Sequence, residues 1–404
     1  MAPAAPATAA SPGAPAARFY LPQLDGLRFL AFVLVFLHHL KLPPAGSMAD
    51  GWATPWLTLR AFGWLGVELF FVLSAFLMTS LLLREQRARG TIAVGRFFIR
   101  RILRIWPLYF FTLALGFAAL PLVAYSTFGT SAHHALVATY LLPYALFLGN
   151  FAVAIAGYPG GFAMPSLALL WTISFEEQFY VTLPFLLLLL ATARASTWLK
   201  LLGAVALFGL AVRVALLLLP VPPHPATWVI PIARPDSFVV GMLLALAIDR
   251  QLPVLRPWAG RGPLAVALAV ALLVGVALFP DIDSGSWHRL WQYPAVAVGF
   301  GALLLALCAG RGLAPRVFAS RPLVALGRIS YGLYVYQLLA LELASHLFAR
   351  FVPDAGRVPL AAWAAECLVG LTLTIAFAAA SYRWLERPFL RRKAAYELVH
   401  SRPP

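Results

Sequence analysis

Arg28 lies inside an apolar run over residues 21–42, and His38 and His39 stand near its far end. Ionisable side chains are costly within a membrane span and usually face a bundle interior or a water-filled cavity. Arg28 and His39 are eleven positions apart, about three helical turns and roughly 16 Å of rise, so both project from nearly one face. One helix thus offers a cation at one depth and an imidazole at another. That suits a long molecule with an anionic head at one end and a reactive group at the other. Glu68, among Val67, Leu69 and Phe70, and the pair Glu176-Glu177 supply carboxylates. A histidine near a buried carboxylate is the usual equipment for general-base activation of a hydroxyl, the carboxylate orienting the ring and stabilising the imidazolium. Plainer readings stand beside this one. The histidines also suit a polar helix end at the headgroups, Glu176 and Glu177 an interfacial pair, and Arg100, Arg101 and Arg104 ordinary loop charges.

The elements that must position these groups follow from composition. The chain has 404 residues, 62% hydrophobic and 11% charged, with mean hydropathy +0.83; a soluble domain carries about 25% charged residues. This predicts an all-α, polytopic membrane protein. Cys308 and Cys367 lie in apolar segments and give neither a disulfide framework nor a metal-ligand spacing. His133, His134, His224, His288, His346 and His400 lie in loops or at span ends, again without ligand spacing. No Walker, Rossmann or metalloprotease pattern occurs, and no metal is expected. The net charge of +16 suits Lys and Arg collected in cytoplasmic loops better than a nucleic-acid partner.

Apolar spans fall at 21–42, 62–83, 105–125, 167–190, 199–219, 232–249, 263–280, 291–310, 328–348 and 359–382, about ten crossings. An eleventh stretch, 139–156, contains Pro143, Gly149 and Asn150 and reads as an interfacial or re-entrant helix on the outer side. The most basic loop, with Arg84, Arg87, Arg89, Arg96, Arg100, Arg101 and Arg104, joins the second and third spans, and the loop with Asp281 and Asp283 is acidic. The positive-inside rule then puts both termini in the cytoplasm. Residues 1–17 read as a disordered tail, 18–390 as the membrane domain and 391–404 as a cytoplasmic basic tail. On this topology His39 lies near the outer surface, Arg28 deeper toward the cytoplasm, Glu68 in the outer half, and Glu176 at the depth of His39.

Arg28, ten residues and His39 resemble the Arg-X10-His signature of the acyltransferase-3 family. Further stretches resemble that family in order from residue 20: Gly66-Val67-Glu68-Leu69-Phe70-Phe71 continuing to Leu77, Arg100-Arg101-Ile102-Leu103-Arg104-Ile105-Trp106-Pro107, Trp171 to Tyr180, Arg234-Pro235-Asp236-Ser237-Phe238 leading to Gly241, Ile329 to Tyr334, and Tyr382 to Phe389. Each alone is weak; the ordered set is strong. Gln337 stands where the family commonly has histidine, and Ala75 where glycine usually follows the serine. Many relatives carry an extracytoplasmic hydrolase-like domain after the last helix; about twenty residues follow it here, and no such domain is expected.

The resemblance implies transfer of an acyl group, usually acetyl from acetyl-CoA, to a hydroxyl of a cell-envelope or exported glycan at the cytoplasmic (inner) membrane. Under it, Arg28, Arg101 and Arg104 hold the phosphates of coenzyme A through charge-assisted hydrogen bonds. His39 takes the proton of the acceptor hydroxyl or carries the acyl group itself, and Ser174 and Glu176 support it. Membrane lipid, the glycan or other hydroxyl acceptor and glycan-assembly machinery are the expected partners. Two alternatives remain: O-acylation of a small molecule such as a macrolide, and a transporter or flippase whose intramembrane charges line a substrate path. Against the last, the two halves of the chain show no inverted repeat.

Overall fold

Where the structure describes them, the eleven apolar runs fold largely as helix. The computed structural model describes residues 19–44, 46–48, 50–119, 130–159, 165–219, 224–258, 260–279, 287–310, 312–352 and 359–399. The tail over 1–17 and the acidic loop at Asp281 and Asp283 lie outside the described residues. In chain order the helices are α1 Pro22–His39, α2 Asp50–Ala61, α3 Leu65–Arg89, α4 Val94–Ala114, α5 Thr130–Ala145, α6 Gly149–Ala156, α7 Trp171–Leu189, α8 Ala195–Leu218 and α9 Ala226–Val229. There follow α10 Asp236–Asp249, α11 Gly262–Ala277, α12 Arg289–Cys308, α13 Leu313–Phe318, α14 Arg321–Arg328, α15 Ser330–Phe351, α16 Pro359–Ser381 and α17 Arg387–Ala394. No strand occurs among the described residues.

Among the described residues, 4 helical stretches are long and apolar enough to cross a membrane, or up to 5 if α14 and α15, bent by 73°, count as one. The sequence predicts about ten. Part of the difference lies in length, since α10 and α11 have 14 and 16 residues against the ~20 that a straight crossing needs. Part lies in polarity, since α4 has 21 residues but carries Arg96, Arg100, Arg101 and Arg104.

The third predicted span differs at its start. Hydropathy places it at 105–125, with the arginines in the loop before it. Instead α4 begins at Val94, where the Ala93 N–H donates to Glu85 Oε1 at 2.7 Å. Arg96, Arg100, Arg101 and Arg104 therefore project at fixed angles from a helix. The stretch 139–156 is broken between α5 and α6, with Phe147 at φ 55°. Carbonyls at the break are satisfied by side chains: the Tyr109 hydroxyl donates to Tyr144 O at 2.7 Å, and Gln178 Nε2 to Phe147 O at 2.9 Å. Such satisfaction is what allows irregular backbone inside an apolar bundle.

Small residues set the central packing. A Cβ on Gly66 would fall 2.2 Å from the Ala31 carbonyl oxygen, so α1 and α3 touch backbone to backbone. Gly241 of α10 faces Ala75 of α3, where a Cβ would meet the Ala75 Cβ at 2.7 Å. The glycine on α10 therefore makes room for the alanine that departs from the family pattern. Basic loops meet at one end of the bundle: Arg87 Nη2 donates to Asp249 O at 2.8 Å, Arg250 to Ala193 O at 2.7 Å, and Arg100 to Tyr396 O at 3.0 Å. This basic end is the lower end of α1; His39 lies at the opposite end.

Candidate active site

The site is assembled from five helices. On α7, Thr172, Ile173, Glu176 and Tyr180 follow helical spacing and form one stripe. That stripe faces Phe70, Phe71 and Ser74 of α3, Arg101 and Arg104 of α4, Tyr334 of α15 and Arg28 of α1 around a cavity of about 110 Å³. The volume is well above the roughly 10–15 Å³ that one water needs, so a substrate group can enter. Ser74 Oγ donates to Glu176 Oε1 at 2.9 Å, and the Tyr180 hydroxyl to Glu176 Oε2 at 3.1 Å. Two helices thus hold one carboxylate at the base of the cavity. Toward the basic end, a second cavity of about 70 Å³ shares Arg28, Met78, Arg101 and Arg104 with the first. Arg28 is aimed by Asp25, whose Oδ1 accepts from its Nη1 at 2.8 Å. The three arginines therefore stand where an anionic group would enter, and Glu176 lines the first cavity beside them.

The structure thus brings Arg28, Arg101, Arg104 and Glu176 together, and leaves Ser174 and His39 apart from them. Ser174 is two residues from Glu176, which on a helix of 3.6 residues per turn turns it to the far side. It is fully buried, and its hydroxyl bonds back to Leu170 O at 3.4 Å. Glu176 lies at the depth of Arg28, whereas hydropathy places it with His39. The cause is local. Residues Pro165–Leu169 form a 3-10 turn, with Leu167, Leu169 and Leu170 buried, so the chain is already deep in the bundle when α7 begins. His39 does not line the cavity; along its stripe toward Arg28, Phe32 and Phe36 pack with Leu333 and Ala378.

His39 has its own geometry. Its Nδ1 lies 2.7 Å from the Val35 carbonyl. A carbonyl only accepts, so a proton sits on Nδ1; in the neutral ring this leaves Nε2 bare, the arrangement a general base needs. His38 turns the other way, over Gly63, with Nδ1 3.1 Å from Arg60 O.

Glu68 belongs to a separate buried network. Its Oε1 lies 2.8 Å from Arg234 Nε and its Oε2 accepts from Ser237, while Asp236 Oδ2 is 2.5 Å from Arg213 Nη1. The Arg234 guanidinium rests 3.8 Å from the centre of the Trp228 ring. Buried charges of this kind persist when paired and hydrogen-bonded, and this network does not line the cavity. Gln337 is fully buried and donates to Tyr334 O at 3.0 Å. Among the described residues no group of three or more His, Cys, Asp or Glu could hold a metal.

Ser74 is the group that sequence reasoning did not single out. A lone hydroxyl in the apolar run 69–77 was its available signal. Tyr180 is one turn past Glu176 and was legible by that spacing.

Fold and site together define a helical, membrane-type bundle with an arginine-lined entrance leading to a held carboxylate. The profile of the acyltransferase domain, acyltransferase-3, matches residues 21–383. The chain belongs to this family. It is similar to the peptidoglycan O-acetyltransferase OatA of Listeria monocytogenes, at 28% identity over 388 residues, covering 92% of this chain and 56% of that one. It is also similar to the O-acetyltransferase OatA of Staphylococcus aureus strain NCTC 8325, at 24% identity, covering 93% of this chain and 58% of that one. The chain thus spans less than two thirds of the length of these curated relatives. No solved structure matches it.

Proposed function

We propose that this chain is a membrane O-acyltransferase that moves an acyl group, acetyl in the simplest case, from cytoplasmic acyl-CoA to a hydroxyl of a cell-envelope glycan. The observation that carries this reading is the convergence of Arg28, Arg101, Arg104 and Glu176 on one cavity, whose three arginines also line a second cavity toward the basic end. An anionic head is favoured there by charge-assisted hydrogen bonds, and positive-inside bias assigns that end to the cytoplasm. Both termini then lie in the cytoplasm, and His39 faces the outer side, where an exported glycan would be met. The names of the two relatives support a glycan acceptor.

In the reaction, the acceptor oxygen attacks the thioester carbonyl, an ester C–O bond forms, and the C–S bond breaks. Nε2 of His39 takes the hydroxyl proton and the coenzyme A thiolate leaves. Glu176 acts in the first cavity, polarising or orienting the donor arm beside Ser74 and Tyr180. Phe32 and Phe36 lie between Arg28 and His39 on α1 and pack with Leu333 and Ala378, so the arm passes this layer to reach His39. The test uses vesicles with the basic face outward, radiolabelled acetyl-CoA outside and glycan inside. Label in lumenal glycan that is lost in His39→Ala supports the reading. Label only on an acceptor added outside would favour small-molecule acylation.

A further inference from the structure

The second cavity has a wall that the family signature does not supply. Helix α17 and the turn after it return from the end of the chain and lie against α4, where Arg100 Nη1 donates to Tyr396 O at 3.0 Å. The Lys393 side chain, 11% exposed, is thereby carried inward to line the same cavity as Arg28, Arg101 and Arg104. It also lines a neighbouring pocket with Arg100 and Arg101, which has Glu85 and Glu397 as its carboxylates. Across the two pockets, five cations (Arg28, Arg100, Arg101, Arg104 and Lys393) face three carboxylates (Asp25, Glu85 and Glu397). Burying an ammonium is costly without a compensating anion. In this structure Lys393 Nζ has Glu397 Oε1 at 2.5 Å, four residues along its own segment.

Resting on the donor reading above, we propose that Lys393 is a contact for the phosphate-bearing head of acyl-CoA, and that Glu397 occupies the ammonium until those phosphates displace it. The excess of cations suits a ligand of several negative charges better than a neutral one. It also explains why a lysine from the far end of the chain is turned inward when the neighbouring Arg391 and Arg392 are not part of either lining. The head site is then built from three separate stretches: α1, α4 and the C-terminal segment.

The experiment is equilibrium binding of coenzyme A to the purified full-length protein in nanodiscs, with thermal unfolding of each variant as a check on folding. Lys393→Gln is expected to weaken coenzyme A about tenfold, equivalent to 1.4 kcal/mol, Lys393→Arg to restore most of the loss, and Glu397→Gln to tighten binding about threefold. With acetyl-CoA as donor, Lys393→Gln should raise KM and leave kcat nearly unchanged, a split that a loss of structure alone does not give. Wild-type affinity in a folded Lys393→Gln protein overturns the contact while leaving the donor reading intact. Unaltered affinity in Glu397→Gln overturns the displacement. Absence of coenzyme A binding in the wild type overturns the donor reading and this contact together. If Lys393→Gln does not fold, the same comparison is made between Lys393→Arg and Glu397→Gln, and an unchanged affinity in both overturns the proposal.

Discussion

Ser74 and Glu176, 102 positions apart in sequence, are joined by a 2.9 Å hydrogen bond across α3 and α7. With the Tyr180 hydroxyl at 3.1 Å on the other oxygen, it fixes the carboxylate plane toward the cavity. Glu176→Gln is expected to reduce acyl transfer about a hundredfold, the range of a lost preorganised polar contact to the reacting group. Ser74→Ala removes one hydrogen bond to a charged group, worth ~1.5–3 kcal/mol, and should cost about tenfold or more. Glu177 is buried on an adjoining face and does not line the cavity, so Glu177→Gln should keep most of the turnover. Equal losses at both glutamates would instead make the pair structural.

The histidines separate by direction. His39→Ala should abolish transfer with the protein still inserted and folded, because it removes the proposed base while leaving the apolar packing of α1 in place. His38 abuts Gly63 and its Nδ1 lies 3.1 Å from the Arg60 carbonyl, so His38→Ala should cost activity only a few-fold. Turnover in membranes at matched protein levels measures both. An inactive His38→Ala beside an active His39→Ala would refute the assignment.

The elements were legible because apolar runs long enough to form helices announce themselves: the run expected over 359–382 is α16, Pro359–Ser381. The start of α4 was hidden because its arginines alternate with Phe97, Phe98 and Ile102, and hydropathy averages such an amphipathic face to nothing. Of the site, Arg101 and Arg104 were legible as a pair because a separation of three puts them on one helix face. Ser74 with Glu176 was not, since it depends on how α3 and α7 are turned toward each other. Nearness in sequence misleads at Ser174, which shares a helix with Glu176 and faces away. Depth misleads at Glu176, because residues 165–170 enter the bundle before helix begins.

The Glu68 network makes a stability prediction. Glu68→Gln removes one carboxylate from a cluster holding Arg234 and Arg213, both buried. Breaking a buried pair from one side costs ~3–5 kcal/mol, so thermal unfolding in detergent should shift clearly downward. Coenzyme A affinity of the fraction that remains folded should be unchanged, as the network lies off the cavity. A folded Glu68→Gln protein with normal stability and no activity would move Glu68 into the reaction itself.

The last prediction concerns the entrance. Arg28 and Arg104 line both cavities, and Arg28 is also aimed by Asp25 at 2.8 Å. If both contact the donor head in the ground state and the transition state alike, their loss is a loss of uniform binding, which raises KM with kcat nearly preserved. Arg104→Ala should therefore raise KM for acetyl-CoA about tenfold, the effect of ~1.4 kcal/mol. Arg28→Ala should be worse, because it also leaves the buried Asp25 carboxylate without that cation. Salt separates the sites further: at 0.15 M the screening length is roughly 8 Å in water, and buried pairs are screened less. Raising ionic strength should thus raise the wild-type KM in part, through the more accessible cations, and leave the Arg28 contribution nearly constant. Asp25→Asn gives the control, since it keeps the guanidinium and removes only its aim, and should fall between wild type and Arg28→Ala. Donor titrations in vesicles with the basic face outward measure all four. A KM indifferent to Arg28 and Arg104 would remove the arginine entrance from the donor path.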